Sequence, residues 1–267
     1  MLTGRTRLVG LIGNPVSESL SPRMQNAAFA ARGLDWAYVP LGVAPEELEA
    51  AGVGLVALGF AGANVTTPYK TAILSYCDEL DEVAESAGSV NTLIVRDGRL
   101  LGSSTDGQAV VEAVEPAGAS VLVLGAGGAA QAVATALADA GAASLTIAAR
   151  TAERAHALAV RLRTVFPDLD VKAADEWPPS AAASLVVNTT PIRDEVIVQP
   201  SVEQQVVDLA YNADGRPTAF VAAARERGCP TIDGLDVLVG QGAASFELWT
   251  GTPAPVDVMR AALRLVS

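Results

Sequence analysis

An apolar run that breaks into glycines at residues 121–130, VLVLGAGGAA, constrains this chain more than any other segment. Val121 to Leu124 suit a buried parallel strand; Gly125 and Gly127 follow at once, with Ala130 three residues on. A strand that turns into a helix within two residues needs a backbone without Cβ atoms at the turn. The G-x-G-x-x-G/A spacing meets that need: Gly125 allows the tight turn, Gly127 lets the backbone approach a pyrophosphate, and Ala130 lets helix and strand pack closely. Phosphates then lie at the helix N-terminus, where peptide dipoles and unpaired N–H groups favour negative charge. On these residues alone, a tight turn of purely structural use stays open.

The same strand–helix alternation runs through the chain. In the first part RLVGLIG predicts a strand, and Ser21 and Pro22 predict the cap and first turn of a helix that stops at Gly33. WAYVPL reads as a second strand and PEELEA as a helix start; residues 53–58 fit helix or strand. Residues 63–66 predict a buried strand end, with a helix starting at Pro68. NTLIVRDGRLLGSS predicts a hairpin turning at Asp97-Gly98. The pattern restarts after Pro116 with SVLVLG, a Gly/Ala-rich helix to Gly141, SLTIAAR and a further helix. Strands at SLVVNT and QQVVDLA, a helix over 217–227, a strand near Thr231 and two long C-terminal helices complete it. Such βαβ alternation predicts an α/β fold whose parallel sheet carries helices on both faces.

Composition narrows the functional classes. A net charge of −12 argues against a nucleic-acid or anionic-membrane surface. Cys77 and Cys229 are too few for a disulfide framework or zinc ribbon, so a reducing cytoplasm is expected and no metal is. His156 is the only histidine, beside the apolar stripe of a helix, so an acid or base must be another residue type. No signal peptide is evident, and the uncharged segment 117–138 reads as strand, turn and helix rather than a membrane span.

Two polar clusters carry candidate chemistry. Residues 62–70, GANVTTPYK, leave an apolar segment and present Asn64, Thr66, Thr67 and Lys70; a strand end, a turn and a solvated charge would account for them equally. After SLTIAA come Arg150, Thr151 and Arg154, where a site for an unphosphorylated ribose places an acid. Guanidinium groups pair with a 2′-phosphate, and cations at a helix start oppose its dipole, so the pattern favours NADP over NAD.

Taken in order, GNPVSESLSP (13–22), GANVTTPYK (62–70), SVNT (89–92), STDG (104–107), GAGGAA (125–130), ART (149–151), VVNTTP (186–191), DLAY (208–211) and GQGAASFELWTG (240–251) resemble the shikimate dehydrogenase family over essentially the whole length. The resemblance implies reversible NADPH-dependent reduction of 3-dehydroshikimate to shikimate, on the route to aromatic amino acids. It implies an N-terminal α/β substrate domain (1–107 with 240–267) and a Rossmann-like doubly wound NADP domain (108–239), with C-terminal helices returning to the first. Ser19 and Ser21 would hold the substrate carboxylate; Asn64, Thr66, Asn91 and Gln241 would bind ring hydroxyls and carboxylate, and Tyr211 would close the site. Lys70 and Asp106 would form the catalytic pair. The cofactor would be held by Gly125, Ala126, Gly127, Gly128, Ala129, Ala130, Arg150, Thr151 and Arg154, with Thr189, Leu209 and Gly234. The only partner implied is a small-molecule substrate, on a monomer or homodimer.

The sequence departs from the family pattern at Ala149, where asparagine is usual, at Arg193-Asp194 and at Val237 after Asp236, all on the cofactor side. Glu18, Gln25 and Ser104 also replace commoner residues. These departures leave two other readings open: a quinate or aminoshikimate dehydrogenase with altered cofactor preference, and a non-catalytic binding module.

Overall fold

The computed structural model describes residues 2–180 and 182–264. Two compact units divide it: residues up to Thr105 together with those from Leu238, and Asp106–Val237. Each boundary falls two residues from the position expected.

In the first unit β1 (Arg7–Gly13), α1 (Ser21–Ala31), β2 (Trp36–Gly42), α2 (Leu48–Ala57) and β3 (Gly62–Val65) alternate, followed by β4 (Glu79–Leu80), α3 (Glu82–Ala87), β5 (Thr92–Arg96) and β6 (Arg99–Ser103). The strand order is β2-β1-β3-β5-β6-β4. Strand β1 is parallel to β2 and β3, whereas β5 is antiparallel to β3 and β6, so this sheet is mixed. Pro40 lies on the edge strand β2, where a missing N–H breaks no inner ladder. The β5–β6 turn has Asp97 at φ 53° and Gly98 at φ 72°, the two left-handed positions a two-residue hairpin requires.

The second unit runs α4 (Asp106–Val111), β7 (Ser120–Leu124), α5 (Gly128–Asp139), β8 (Ser144–Ala148), α6 (Ala152–Val165), β9 (Asp170–Ala173), β10 (Leu185–Asn188), β11 (Gln205–Asp208), α7 (Ala219–Glu226) and β12 (Thr231–Ile232). Its sheet, ordered β12-β11-β10-β7-β8-β9, is parallel throughout. Strand β7 is central. The chain winds from it to β8 and β9, then reverses through β10, which puts the topological switch point at the carboxyl ends of β7 and β10. Alternate residues of β7 feed two cores: Val121 and Val123 pack with Val133, Leu137, Leu158 and Leu162, while Leu122 and Leu124 pack with Phe220 and Ala224. Truncating Leu122, which is fully buried, would cost about 2–5 kcal/mol.

The chain ends in α8 (Gly234–Thr250) and α9 (Val256–Arg264). From Leu238 onward these belong to the first unit. Phe246 stacks on Phe29 of α1 at 5.3 Å between centroids, and the Trp249 indole N–H donates to the Leu93 carbonyl at 2.9 Å.

Several local expectations are corrected. Residues 53–58 belong to helix α2 up to Ala57. No helix starts at Pro68; turns lead to a single 3₁₀ stretch, Ala72–Tyr76. The Lys70 carbonyl, which a helix there would pair four residues on, instead accepts the Val90 N–H at 2.8 Å. Ser21 is the first residue of α1 rather than its cap; Leu20 holds the cap position and contributes no side-chain bond. Strands β4 and β9 had no counterpart in the sequence reading.

Candidate functional site

The polar residues of the first unit converge at the ends of β3, β5 and β6 and on α8. Thr66 continues β3 by donating its N–H to the Ile12 carbonyl at 2.8 Å, and Tyr69 closes a turn on the Thr66 carbonyl at 2.9 Å. Lys70, half-buried, follows directly, and its carbonyl ties it to Val90, one residue before Asn91. Asn91 is 2 % exposed. Its Oδ1 accepts the Thr105 N–H at 2.8 Å and the Thr92 hydroxyl at 3.1 Å; its Nδ2 donates to Thr105 Oγ1 at 2.9 Å and reaches Gln241 Oε1 at 3.5 Å. Asp106, buried, is bonded in sequence to Thr105 and opens the second unit as the first residue of α4.

Asn64 also lies here, and like Asn91 its amide is hydrogen-bonded within the protein. Oδ1 accepts the Tyr38 hydroxyl at 2.8 Å, and Nδ2 faces the Asn91 carbonyl at 3.0 Å, Ser245 Oγ at 3.0 Å and Thr92 Oγ1 at 3.2 Å. Ser19 and Ser21 sit at the start of α1, with Ser19 Oγ accepting the Ser21 N–H at 3.3 Å. The helix end there carries no side-chain cap, and its dipole favours an anion.

In the second unit Gly125 ends β7 at φ +119°, and a Cβ there would come within 2.3 Å of Thr189 Oγ1. Thr189 takes up that space, its N–H and its hydroxyl both donating to the Leu124 carbonyl at 2.8 Å. Gly127 is the cap residue of α5 and no side chain caps the helix. A Cβ on Gly127 would meet nothing within 4 Å, so the face where backbone would meet phosphate is open, with Ala126, Gly128 and Ala129 half-buried around it. Ala130 is fully buried against the sheet. Arg150 and Arg154, both exposed, stand past the end of β8, the strand beside β7, and exposed Thr151 is the uncapped start of α6. Open backbone donors beside two guanidinium groups fit a phosphorylated dinucleotide. Leu209 and Tyr211, half-buried, follow β11, and Gly234 packs its backbone against Ala210, where a Cβ would lie 2.2 Å from the carbonyl oxygen.

Three family models match the chain in order: the shikimate dehydrogenase substrate binding domain over residues 11–93, shikimate/quinate 5-dehydrogenase over 108–212, and the shikimate 5′-dehydrogenase C-terminal domain over 234–264. A curated relative, the shikimate dehydrogenase (NADP(+)) of Moorella thermoacetica, is 48% identical over 276 residues that span 97% of this chain and 93% of its own. The chain belongs to the shikimate dehydrogenase family. Among solved structures, a shikimate dehydrogenase in complex with NADP+ superposes with TM-score 0.90 at 36% identity, over 98% of this chain and 96% of that one. A ligand-free 5-ketofructose reductase of Gluconobacter sp. strain CHM43 superposes with TM-score 0.87 at 32% identity, over 99% of this chain and 100% of that one.

Where this member of the shikimate dehydrogenase family departs from the usual residues, some substitutions pack well, while Gln25 Oε1 and Ser104 Oγ are buried without a hydrogen-bond partner among the described residues. Ala149 packs on the second unit's core, and Val237 is 5 % exposed within it. Asp194 is exposed and Arg193 half-buried, with the Arg193 carbonyl accepting the first N–H of α7 at 2.8 Å. Gln25 is fully buried and donates to the Gly242 carbonyl at 2.8 Å, joining α1 to α8. His156 is exposed, its Nδ1 2.9 Å from the Ala152 carbonyl of its own helix. Burial pushes the Cys77 thiol up to about 11, which leaves it an inert core residue. No helix among the described residues is long and apolar enough to cross a membrane; segment 117–138 is β7, the glycine turn and most of α5.

One buried titratable group escaped the sequence reading. Asp208, fully buried at the end of β11, accepts from Asn188 Nδ2 at 2.8 Å, from the Ala210 N–H at 2.9 Å and from the Thr218 hydroxyl at 2.5 Å. Asn188 in turn accepts from Thr190 N–H at 3.0 Å and its hydroxyl at 2.7 Å. The two loops that carry Thr189 and Leu209 are thereby bracketed. Burial pushes the Asp208 carboxyl up to about 6, against the opposing pull of its hydrogen bonds. Asp in DLAY had been read only as part of a block; the neighbours that make it unusual come from residues 188 and 218.

Proposed function

We propose that this chain is an NADP-dependent oxidoreductase that reversibly reduces 3-dehydroshikimate to shikimate, with Lys70 and Asp106 handling the proton. One observation carries the reading: the Val90–Lys70 backbone bond ties Lys70 to the residue before Asn91, just ahead of β5, and Asn91 in turn fixes Thr105, the residue before Asp106.

Reducing a ketone requires a hydride at carbon and a proton at oxygen. Bound NADPH supplies the hydride. The Lys70 ammonium stabilises negative charge developing on the carbonyl oxygen and donates the proton to it, and accepts it back in the reverse direction. Asp106 accepts from a ring hydroxyl. Ser19 and Ser21 donate to the ring carboxylate at the start of α1, while Asn91, Gln241 and Thr66 recognise ring hydroxyls. Tyr211 covers the substrate. Gly125 to Ala130 hold the pyrophosphate, and Arg150 and Arg154 the 2′-phosphate.

The fold alone does not select the substrate, since a 5-ketofructose reductase shares it. The choice rests on the serine pair at a helix end, which suits a carboxylate, and on intact Lys70, which a binding module does not need. Initial rates with shikimate and quinate, each with NADP and NAD, test it. The expected order is shikimate with NADP first by a wide margin. Faster turnover of quinate, or none of either, overturns the reading.

A further inference from the structure

We propose that Ser245, with Thr92 and Asn64, forms a positioning relay that sets the side chains of Asn91 and Gln241 toward the substrate. The inference deepens the function above and rests on it.

Ser245 is fully buried on α8, one turn after Gln241. Its Oγ donates back to the Gln241 carbonyl at 2.9 Å and receives Asn64 Nδ2 at 3.0 Å. The same oxygen lies 2.8 Å from Thr92 Oγ1 and 3.3 Å from Thr105 Oγ1. When the Thr92 proton is directed at Ser245 Oγ rather than at Asn91 Oδ1, this one hydroxyl joins the C-terminal helix to β3 and to β5. Thr105 completes the ring by donating toward the Gln241 carbonyl at 3.1 Å.

The orientation of the relay is set from its far end. The Tyr38 hydroxyl, on β2, donates to Asn64 Oδ1, which turns Nδ2 toward Ser245 and the Asn91 carbonyl. Tyr38 is 2 %, Asn64 5 %, Thr92 0 % and Asn91 2 % exposed, so these bonds are made where water competes little. The Tyr38 hydroxyl on Asn64 Oδ1, and three acceptors facing Asn64 Nδ2, fix this amide in one orientation. Asn91, whose Oδ1 accepts the Thr105 N–H and lies 3.1 Å from Thr92 Oγ1, holds its Nδ2 3.5 Å from Gln241 Oε1, while Gln241 Nε2 donates to the Leu238 carbonyl at 2.9 Å. Losing the Ser245 hydroxyl would let α8 shift relative to β5 and change that spacing.

The test compares Ser245→Ala, Thr92→Val and Thr92→Ser with the wild type in steady-state kinetics and thermal unfolding with and without shikimate. Loss of one buried hydrogen bond predicts a shikimate KM raised roughly three- to tenfold in Ser245→Ala and Thr92→Val. The NADP KM should stay within twofold, and the shikimate-induced rise in Tm should shrink. Thr92→Ser keeps the hydroxyl and should restore the wild-type shikimate KM. If Ser245→Ala does not fold, the two Thr92 variants decide alone. Unchanged shikimate KM in the valine variant, or equal losses for shikimate and NADP, would overturn the relay while leaving the function intact. A wild type that turns over no shikimate overturns both.

Discussion

The Val90 amide donates to the Lys70 carbonyl at 2.8 Å, so the residue proposed to move the proton is anchored to the segment that carries Asn91 into β5. Its backbone is fixed by main-chain pairing, independent of its own side chain. Lys70→Ala should therefore fold normally and bind shikimate with KM changed less than about fivefold, while kcat falls by roughly 10²–10⁴, the usual scale for a lost general acid. Circular dichroism and steady-state rates measure both. A variant turning over at the wild-type rate would remove Lys70 from the mechanism.

Asp208 gives the fold a pH dependence of unusual sign. Its folded pKa, raised by burial to about 6, lies above its ordinary value of 3.8. Between these values the folded state holds a proton that the unfolded chain releases. The group's stabilising contribution is complete below about pH 4 and is lost as pH rises through 6, a change on the order of 3 kcal/mol. Asp208→Asn carries no such charge. Urea unfolding of both proteins from pH 4 to 7 should show the asparagine variant gaining on the wild type as pH rises. Parallel stability curves would mean that Asp208 titrates as an ordinary carboxyl.

The glycine turn was legible because its geometry is local: φ at Gly125 and the open face at Gly127 follow from residues within one turn of chain. The same holds for the Asp97-Gly98 hairpin. Strand β9 was not legible, since only Val171 of its four residues is buried and Asp170 and Lys172 pair with each other at 2.7 Å, leaving no apolar period to read. In the candidate site the residue types were visible but their division of labour was not. Asn64 stands out in GANVTTPYK, but the partners that orient its amide, Tyr38, Thr92 and Ser245, arrive from distant parts of the chain. Ser245 itself, following Ala243 and Ala244 in α8, is only one position in the GQGAASFELWTG block and carries no signal of its own. Its significance comes only from Asn64 and Thr92, 181 and 153 residues earlier in the chain.

Arg150 and Arg154 supply the last test, of coenzyme choice. Both are exposed near the N-terminus of α6, where the helix dipole disfavours cations, so neither position is explained by stability. If they pair with a 2′-phosphate, Arg150→Ala should raise the NADP KM by about 10–100-fold, the range for a charge-assisted hydrogen bond, and leave the NAD KM within a factor of about two. The melting temperature should stay level or rise slightly, because a charge opposed to the dipole has gone. Arg154→Ala should act in the same direction, and the double variant should narrow the preference for NADP further still. Equal losses for the two coenzymes would show that the arginines serve the fold or the shared part of the dinucleotide. An unchanged NADP KM in the double variant would leave the 2′-phosphate to other residues.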